Sequence, residues 1–191
     1  MRTFRALALA ALSTLAGCAT TSEAPIDTTP SNAIVDADIT RRIEELKFQH
    51  GPELLQSMTH LAQMGEAAAP RLREGLRSED WLTRASLAWV MGATGDRRYI
   101  PDLRAAIGDP VSGVRYEVAS ALVELGDSSG FAALVAGLGD GDVRNRYKCF
   151  ETLRRATGRD FGYQHDASPE TRRAAIVRWN SWLESLRASA L

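Results

Sequence analysis

The apolar and polar positions between residues 53 and 156 fall into a succession of helical faces. Leu54, Met58, Leu61 and Ala62 share one side of a helix over 53–64. Val143, Tyr147, Phe150 and Leu153 recur at helical spacing over 142–156. No stretch alternates as a half-buried strand would. Glycines followed by an acidic residue, as in Gly65-Glu66, Gly95-Asp96 and Gly126-Asp127, punctuate the segments. The pattern predicts helices over 39–48, 53–64, 69–76, 80–93, 100–107, 111–125, 130–138 and 142–156. Asp38 suits the N-cap of the first, and His50-Gly51-Pro52 its end, because proline cannot continue a helix.

Between residues 80 and 140 one helix-pair pattern is written twice, with a period of about thirty positions. Arg84 and Arg115 hold one slot, Leu103 and Leu134 another, and Gly108-Asp109 and Gly139-Asp140 a third. Gly65, Pro70 and Leu72 belong to a more diverged copy, one period before Gly95, Pro101 and Leu103. A fixed period of about 20–50 residues marks a solenoid, whose units bury their apolar faces only against their neighbours.

Val114-Arg115, Ala119, Ala121-Leu122, Leu125-Gly126-Asp127, Leu134 and Leu138 together resemble the short HEAT-like repeats also found in bilin lyases. Val143-Arg144 reads as the start of another copy. The resemblance covers about residues 53–157. It implies an all-α fold, a short right-handed α-solenoid of HEAT-like helix pairs. It also implies that an aspartate and an arginine six positions on bond across successive turns. Asp109 and Arg115 keep that spacing, whereas Arg84 and Arg144 have Ser78 and Leu138 in the acid's place. The arginines of this slot are read as structural.

Residues 157–191 break the period. Ser168 suits an N-cap, Pro169 the first helical position, and Glu170 the positive end of the helix dipole. Ala175, Ile176, Trp179, Trp182, Leu183 and Leu186 then form one broad stripe of a helix running to about Arg187. A solenoid needs an atypical unit to close its apolar end, and this segment is expected to be a C-terminal capping helix.

The N-terminus reads as an export leader over residues 1–17. Arg2 and Arg5 form a basic start, and Ala6–Leu15 an apolar run of ten. That is half the roughly 20 apolar residues a membrane span needs. Leu15-Ala16-Gly17-Cys18 resembles the lipobox of bacterial lipoproteins, which implies cleavage before Cys18 and a diacylglycerol on its sulfur. By the same resemblance, Ala19 in place of an aspartate favours the outer membrane, periplasmic side, in a Gram-negative host. Residues 18–38 carry no Lys or Arg and no helical period, and are expected to be a flexible tether ahead of a folded domain over 39–191.

Charge and chemistry narrow the function further. Formal net charge is −1, and without Arg2 and Arg5 the balance is 21 basic against 24 acidic residues, which does not favour nucleic acid as a partner. Cys18 and Cys149 give no disulfide framework. In the register set by Arg144, Cys149 takes the slot of Trp89 and Ser120 and is expected to be a small buried hydrophobe. His50, His60 and His165 are scattered, and no phosphate loop, Cys-x-x-Cys or His-Glu-x-x-His occurs. No enzyme, cofactor or metal is expected. Arg144, Arg146, Lys148, Arg154, Arg155 and Arg159 crowd into one short stretch, near Tyr147, Phe161, Tyr163 and Trp179. Arginine with exposed aromatics is the usual composition of a binding hot spot. The partner-binding candidates are therefore Arg146, Tyr147, Arg154, Arg155, Phe161 and Tyr163, for an acidic peptide or anionic head groups. The expected function is a lipid-anchored adaptor of the bacterial envelope that binds a protein partner. The alternatives are an accessory of an enzyme reaction, by likeness to bilin lyases, and a structural envelope component.

Overall fold

The computed structural model describes residues 29–188. They form nine α-helices and no strand: α1 (Thr29–Glu45), α2 (Gly51–Gln63), α3 (Ala69–Gly75), α4 (Trp81–Ala93), α5 (Ile100–Ala106), α6 (Ser112–Glu124), α7 (Phe131–Gly137), α8 (Val143–Thr157) and α9 (Pro169–Ala188). From residue 65 the helices alternate short and long. The long helices α4, α6 and α8 pack side by side, with α4 against α6 the most extensive contact in the fold. Each short helix, α3, α5 and α7, lies against the long helix that follows it. This is the short helical solenoid that the period implies.

Local chemistry sets the ends of these elements. The Asp80 carboxylate accepts the Thr83 N–H at 2.7 Å and so caps α4. Gly126 adopts φ 78°, a left-handed geometry that closes α6. It lets the Asp127 N–H reach back to the Leu122 carbonyl at 2.8 Å, satisfying an acceptor left over at the helix end. Gly92 serves packing instead. A Cβ there would lie 2.9 Å from the Cα of Ala121, so the glycine allows α4 and α6 to approach.

One turn is built three times. Arg84 Nη1 donates to the carbonyls of Ser78 (2.8 Å) and Glu79 (2.9 Å). Arg115 Nη1 does the same to Asp109 (2.8 Å) and Pro110 (3.0 Å), and Arg146 Nη1 to Asp140 (2.9 Å) and Gly141 (2.9 Å). At the head of each turn a side chain accepts the N–H two positions on: Ser78 from Asp80, Asp109 from Val111, Asp140 from Asp142. The third arginine of the slot is therefore Arg146, not Arg144, which is exposed and paired with Asp142. In the corrected register Cys149 follows Leu87 and Val118, and all three are fully buried. Cys149 is thus a core position, as expected, although not in the slot of Trp89 and Ser120.

The expected acid–arginine bond joins neighbouring repeats once. Arg84 reaches forward to the Asp109 carboxylate through Nε (2.7 Å) and Nη2 (3.1 Å). At the next turn the Tyr116 hydroxyl donates to Asp140 at 2.9 Å. Burial raises the Asp109 carboxyl, but bonds from Arg84 and the Val111 N–H and the charges of Arg84 and Arg115 outweigh it. The net pKa lies below the ordinary 3.8. A carboxyl depressed in the fold stabilises it above the unfolded value and loses that contribution as pH falls through the folded value. Asp109→Asn should therefore melt lower than the natural protein at neutral pH. It should also lose less further stability between about pH 4 and pH 3, as read from thermal melts across that range.

The core has two parts that meet at α6. Ile39, Leu46, Leu72, Leu87, Met91, Leu103 and Leu122 belong to the first, and Leu134, Leu138, Cys149, Leu153 and Trp179 to the second. Between α6 and α8 runs a polar seam: Ser120 and Thr152 hydroxyls bond at 3.1 Å, Glu117 pairs with Lys148, and Glu124 with Arg155 at 3.0 Å. α9 closes the C-terminal end over α7, with Ala175 and Trp179 fully buried.

At the other end, α1 starts well before Ile39, inside the segment expected to be tether. Its polar residues find partners both on α3 and within the helix itself. The Asp36 carboxylate takes Nε (2.8 Å) and Nη2 (2.6 Å) of Arg71 on α3, while Asp38 pairs with Arg41 and Arg42. The leader, Cys18 and the tether as far as residue 28 lie outside the described residues.

Candidate functional site

The basic and aromatic residues near the C-terminus do not share one face. Arg146 is 8% exposed. Besides its two turn carbonyls, it donates through Nε to the His165 carbonyl at 2.7 Å, tying α8 to the loop before α9. Tyr163 is 3% exposed, and its hydroxyl donates to the Leu138 carbonyl at 2.6 Å. Burial pushes that phenol up to about 12. Both were expected to meet a partner, and both are instead inside the fold: Arg146 serves the carbonyls of its own turn and of His165, and Tyr163, carried by the folded-back loop, serves the carbonyl of Leu138.

The remaining four candidates stay accessible in different settings. Tyr147 is 51% exposed and stacks edge-on with His165 at 5.0 Å between ring centroids. Arg154 pairs with Glu151 at 2.7 Å and Arg155 with Glu124 at 3.0 Å, so each already has a carboxylate. Phe161 is half-buried, edge-on to Trp179 at 4.8 Å. Its backbone has φ 49°, the only positive φ of a non-glycine among the described residues.

Phe161 gathers two arginines that the sequence alone does not group. Arg159 holds its guanidinium 5.8 Å from the Phe161 ring centre. Arg178, from α9, donates through Nε to the Phe161 carbonyl at 2.9 Å. Gly162, at φ 71°, passes so near that a Cβ would sit 3.4 Å from Arg178 Nη2. With Ser181, Trp182 and Ser185 these residues line an open cleft of about 420 Å³. Neither Arg159 nor Arg178 has a carboxylate partner among the described residues. Arg178 and Trp182 were missed because they lie on the next helix, far along the chain from Arg159, and meet it only when the loop folds back.

A larger cleft, of about 710 Å³, opens at the other end between α1, α3 and the start of α4. Its rim mixes Glu44, Glu74 and Glu79 with Lys47, Arg71 and Arg77, so no one charge dominates. Large apolar side chains are uncovered at Phe48 (74%) and Trp81 (51%). Cys149 is fully buried, and burial pushes its thiol up to about 12, which keeps it protonated and unreactive at neutral pH. Among the described residues no group of three or more His, Cys, Asp or Glu is placed to hold a metal ion, and no helix is long and apolar enough to cross a membrane.

Residues 69–154 match the family of HEAT repeats. Among solved structures, human deoxyhypusine hydroxylase in complex with glycerol is similar, at 30% identity and a TM-score of 0.43. The likeness covers 64% of this chain and 44% of that one, so this protein spans less than half the length of that neighbour. Curated proteins give no match. The HEAT-like repeats are thereby supported, and with them a scaffold for protein interaction. The expectation that the chain is not an enzyme is corrected, since the neighbour is a hydroxylase and a HEAT-like array is no ground for excluding catalysis.

Proposed function

We propose that this protein is a HEAT-repeat adaptor, held to the bacterial cell envelope by a lipid on Cys18, that binds a protein partner. The observation that carries the partner half is a HEAT-like array over 69–154 whose surface leaves aromatic side chains uncovered at Trp81 and Tyr147, each 51% exposed. Exposed aromatics set among arginines are what protein interfaces draw on for affinity. The anchor half rests on Leu15-Ala16-Gly17-Cys18 behind a basic start and a short apolar run. Acyl chains contribute about 0.8 kcal/mol per buried methylene, and two or more chains hold where one is marginal. In a Gram-negative host, Ala19 after the cysteine favours the periplasmic side of the outer membrane.

Crosslinking in the native envelope, followed by affinity capture and mass spectrometry, tests the reading beside a Cys18→Ala strain. One dominant partner, lost in Cys18→Ala, is the expected result. A chain that crosslinks to no protein in either strain would overturn the adaptor.

A further inference from the structure

We infer that the cleft at Phe161 is where this protein takes its partner, and that the part it takes is an acidic peptide segment carrying an aromatic or aliphatic side chain beside the carboxylate. The inference rests on the adaptor reading and adds to it the site and the chemistry of the ligand.

Two guanidiniums are held in place there with no carboxylate of the described residues paired to them. Arg178 uses one of its five N–H donors on the Phe161 carbonyl, and no described residue takes the other four. Among the described residues the Arg159 guanidinium meets the face of the Phe161 ring and no carboxylate. The nearest acid in sequence, Asp160, is turned to the backbone, where its Oδ1 accepts the Gly162 N–H at 2.7 Å. Elsewhere in this region Arg144, Arg154 and Arg155 each pair with a carboxylate. The cleft thus offers forked donors to an incoming carboxylate, in the geometry that binds such groups through two parallel bonds.

The wall beside them is aromatic and rigid. Trp182 is braced edge-on by Phe131 (5.1 Å) and by Trp179 (5.5 Å), and Phe161 by Trp179 (4.8 Å). Rings fixed in this way lose little freedom when a ligand side chain lies on them. Phe161 keeps a left-handed backbone, a conformation that costs free energy and that collects at binding sites. That conformation lets one residue carry both arginines, on its ring and on its carbonyl.

A protein segment is favoured over a lipid head group by position. The cleft lies at the capped C-terminal end, while α1, the described element nearest Cys18 in sequence, packs against α2 and α3 at the opposite end. Helix layers stack roughly 9 Å apart, so several layers separate the cleft from α1.

The test uses the purified full chain and a short fluorescein-labelled peptide of alternating Glu and Phe, with a Gln and Phe peptide as control. Arg159→Ala with Arg178→Ala should weaken binding of the acidic peptide about tenfold or more, while far-UV helicity and melting stay as in the natural protein. Arg159→Lys with Arg178→Lys should recover part of the loss, and added salt should weaken the natural protein more than the alanine variant. Unchanged affinity in the alanine variant, or equal binding of the Gln and Phe peptide, would overturn the inference. So would arginine-dependent binding to phosphatidylglycerol vesicles without binding of the acidic peptide. The same alanine variant in the envelope crosslinking separates the two readings. A partner captured equally by both forms leaves the adaptor standing and removes the cleft, whereas a natural protein that captures nothing removes the adaptor itself.

Discussion

Leu122→Asp is expected to abolish the cooperative thermal transition and most of the far-UV helical signal. Leu122 is fully buried in α6, the helix that touches α4, α5, α7 and α8. Removing the leucine side chain alone costs about 2–5 kcal/mol. A carboxylate left there has no cation or donor to meet it, and an unpaired buried charge adds several kcal/mol more or forces the group to neutralise. Domains have only about 5–15 kcal/mol of net stability to lose. Leu122→Ala, which leaves out the charge, should keep its helicity and melt lower. A Leu122→Asp protein that melts like the natural one would place Leu122 outside the core and reject the register of the repeats.

Arg146→Ala is expected to destabilise the fold by about 3–5 kcal/mol, more than any exposed arginine of the same helix. Its guanidinium serves three carbonyls, those of Asp140, Gly141 and His165, from a position 8% exposed. Hydrogen bonds to a charged group contribute about 1.5–3 kcal/mol each, and the truncated side chain leaves all three acceptors to whatever water can enter. Arg154→Ala removes an exposed pair with Glu151 and should change stability by less than about 1 kcal/mol. Urea midpoints of the two variants decide the matter. If they coincide with each other and with the natural protein, Arg146 is a surface group after all and the threefold turn is not structural.

The array was legible because a solenoid must bury its units alike. Arg84 and Arg115, or Leu103 and Leu134, have to recur when each repeat rests on the next. The helix boundaries followed from cues close in sequence, such as Asp80 before α4 and Pro169 at the start of α9. The third arginine was misplaced from Arg146 to Arg144 although its signal was present. Arg146 stands one full period after Arg115, and it follows Asp140 at the same interval that separates Asp109 from Arg115.

What stayed hidden depends on contacts distant in sequence. In the early-starting α1, Asp36 meets Arg71, 35 residues away. Arg146 and Tyr163 carry the residue types of a binding face; the repeated turn and the loop over 158–168 together take up Arg146, and the folding-back of that loop turns Tyr163 inward onto Leu138. The same loop brings Arg159 to Arg178 and Trp182, a grouping that no window along the chain reveals.

The envelope reading stands on Cys18, and the intact mass of the protein recovered from the membrane fraction tests it most directly. The account predicts a chain beginning at Cys18 and heavier than its sequence by a diacylglycerol, with or without a further acyl group on the new amino terminus. A chain carrying an unmodified Cys18, or one cut elsewhere and recovered free of membrane, would contradict it.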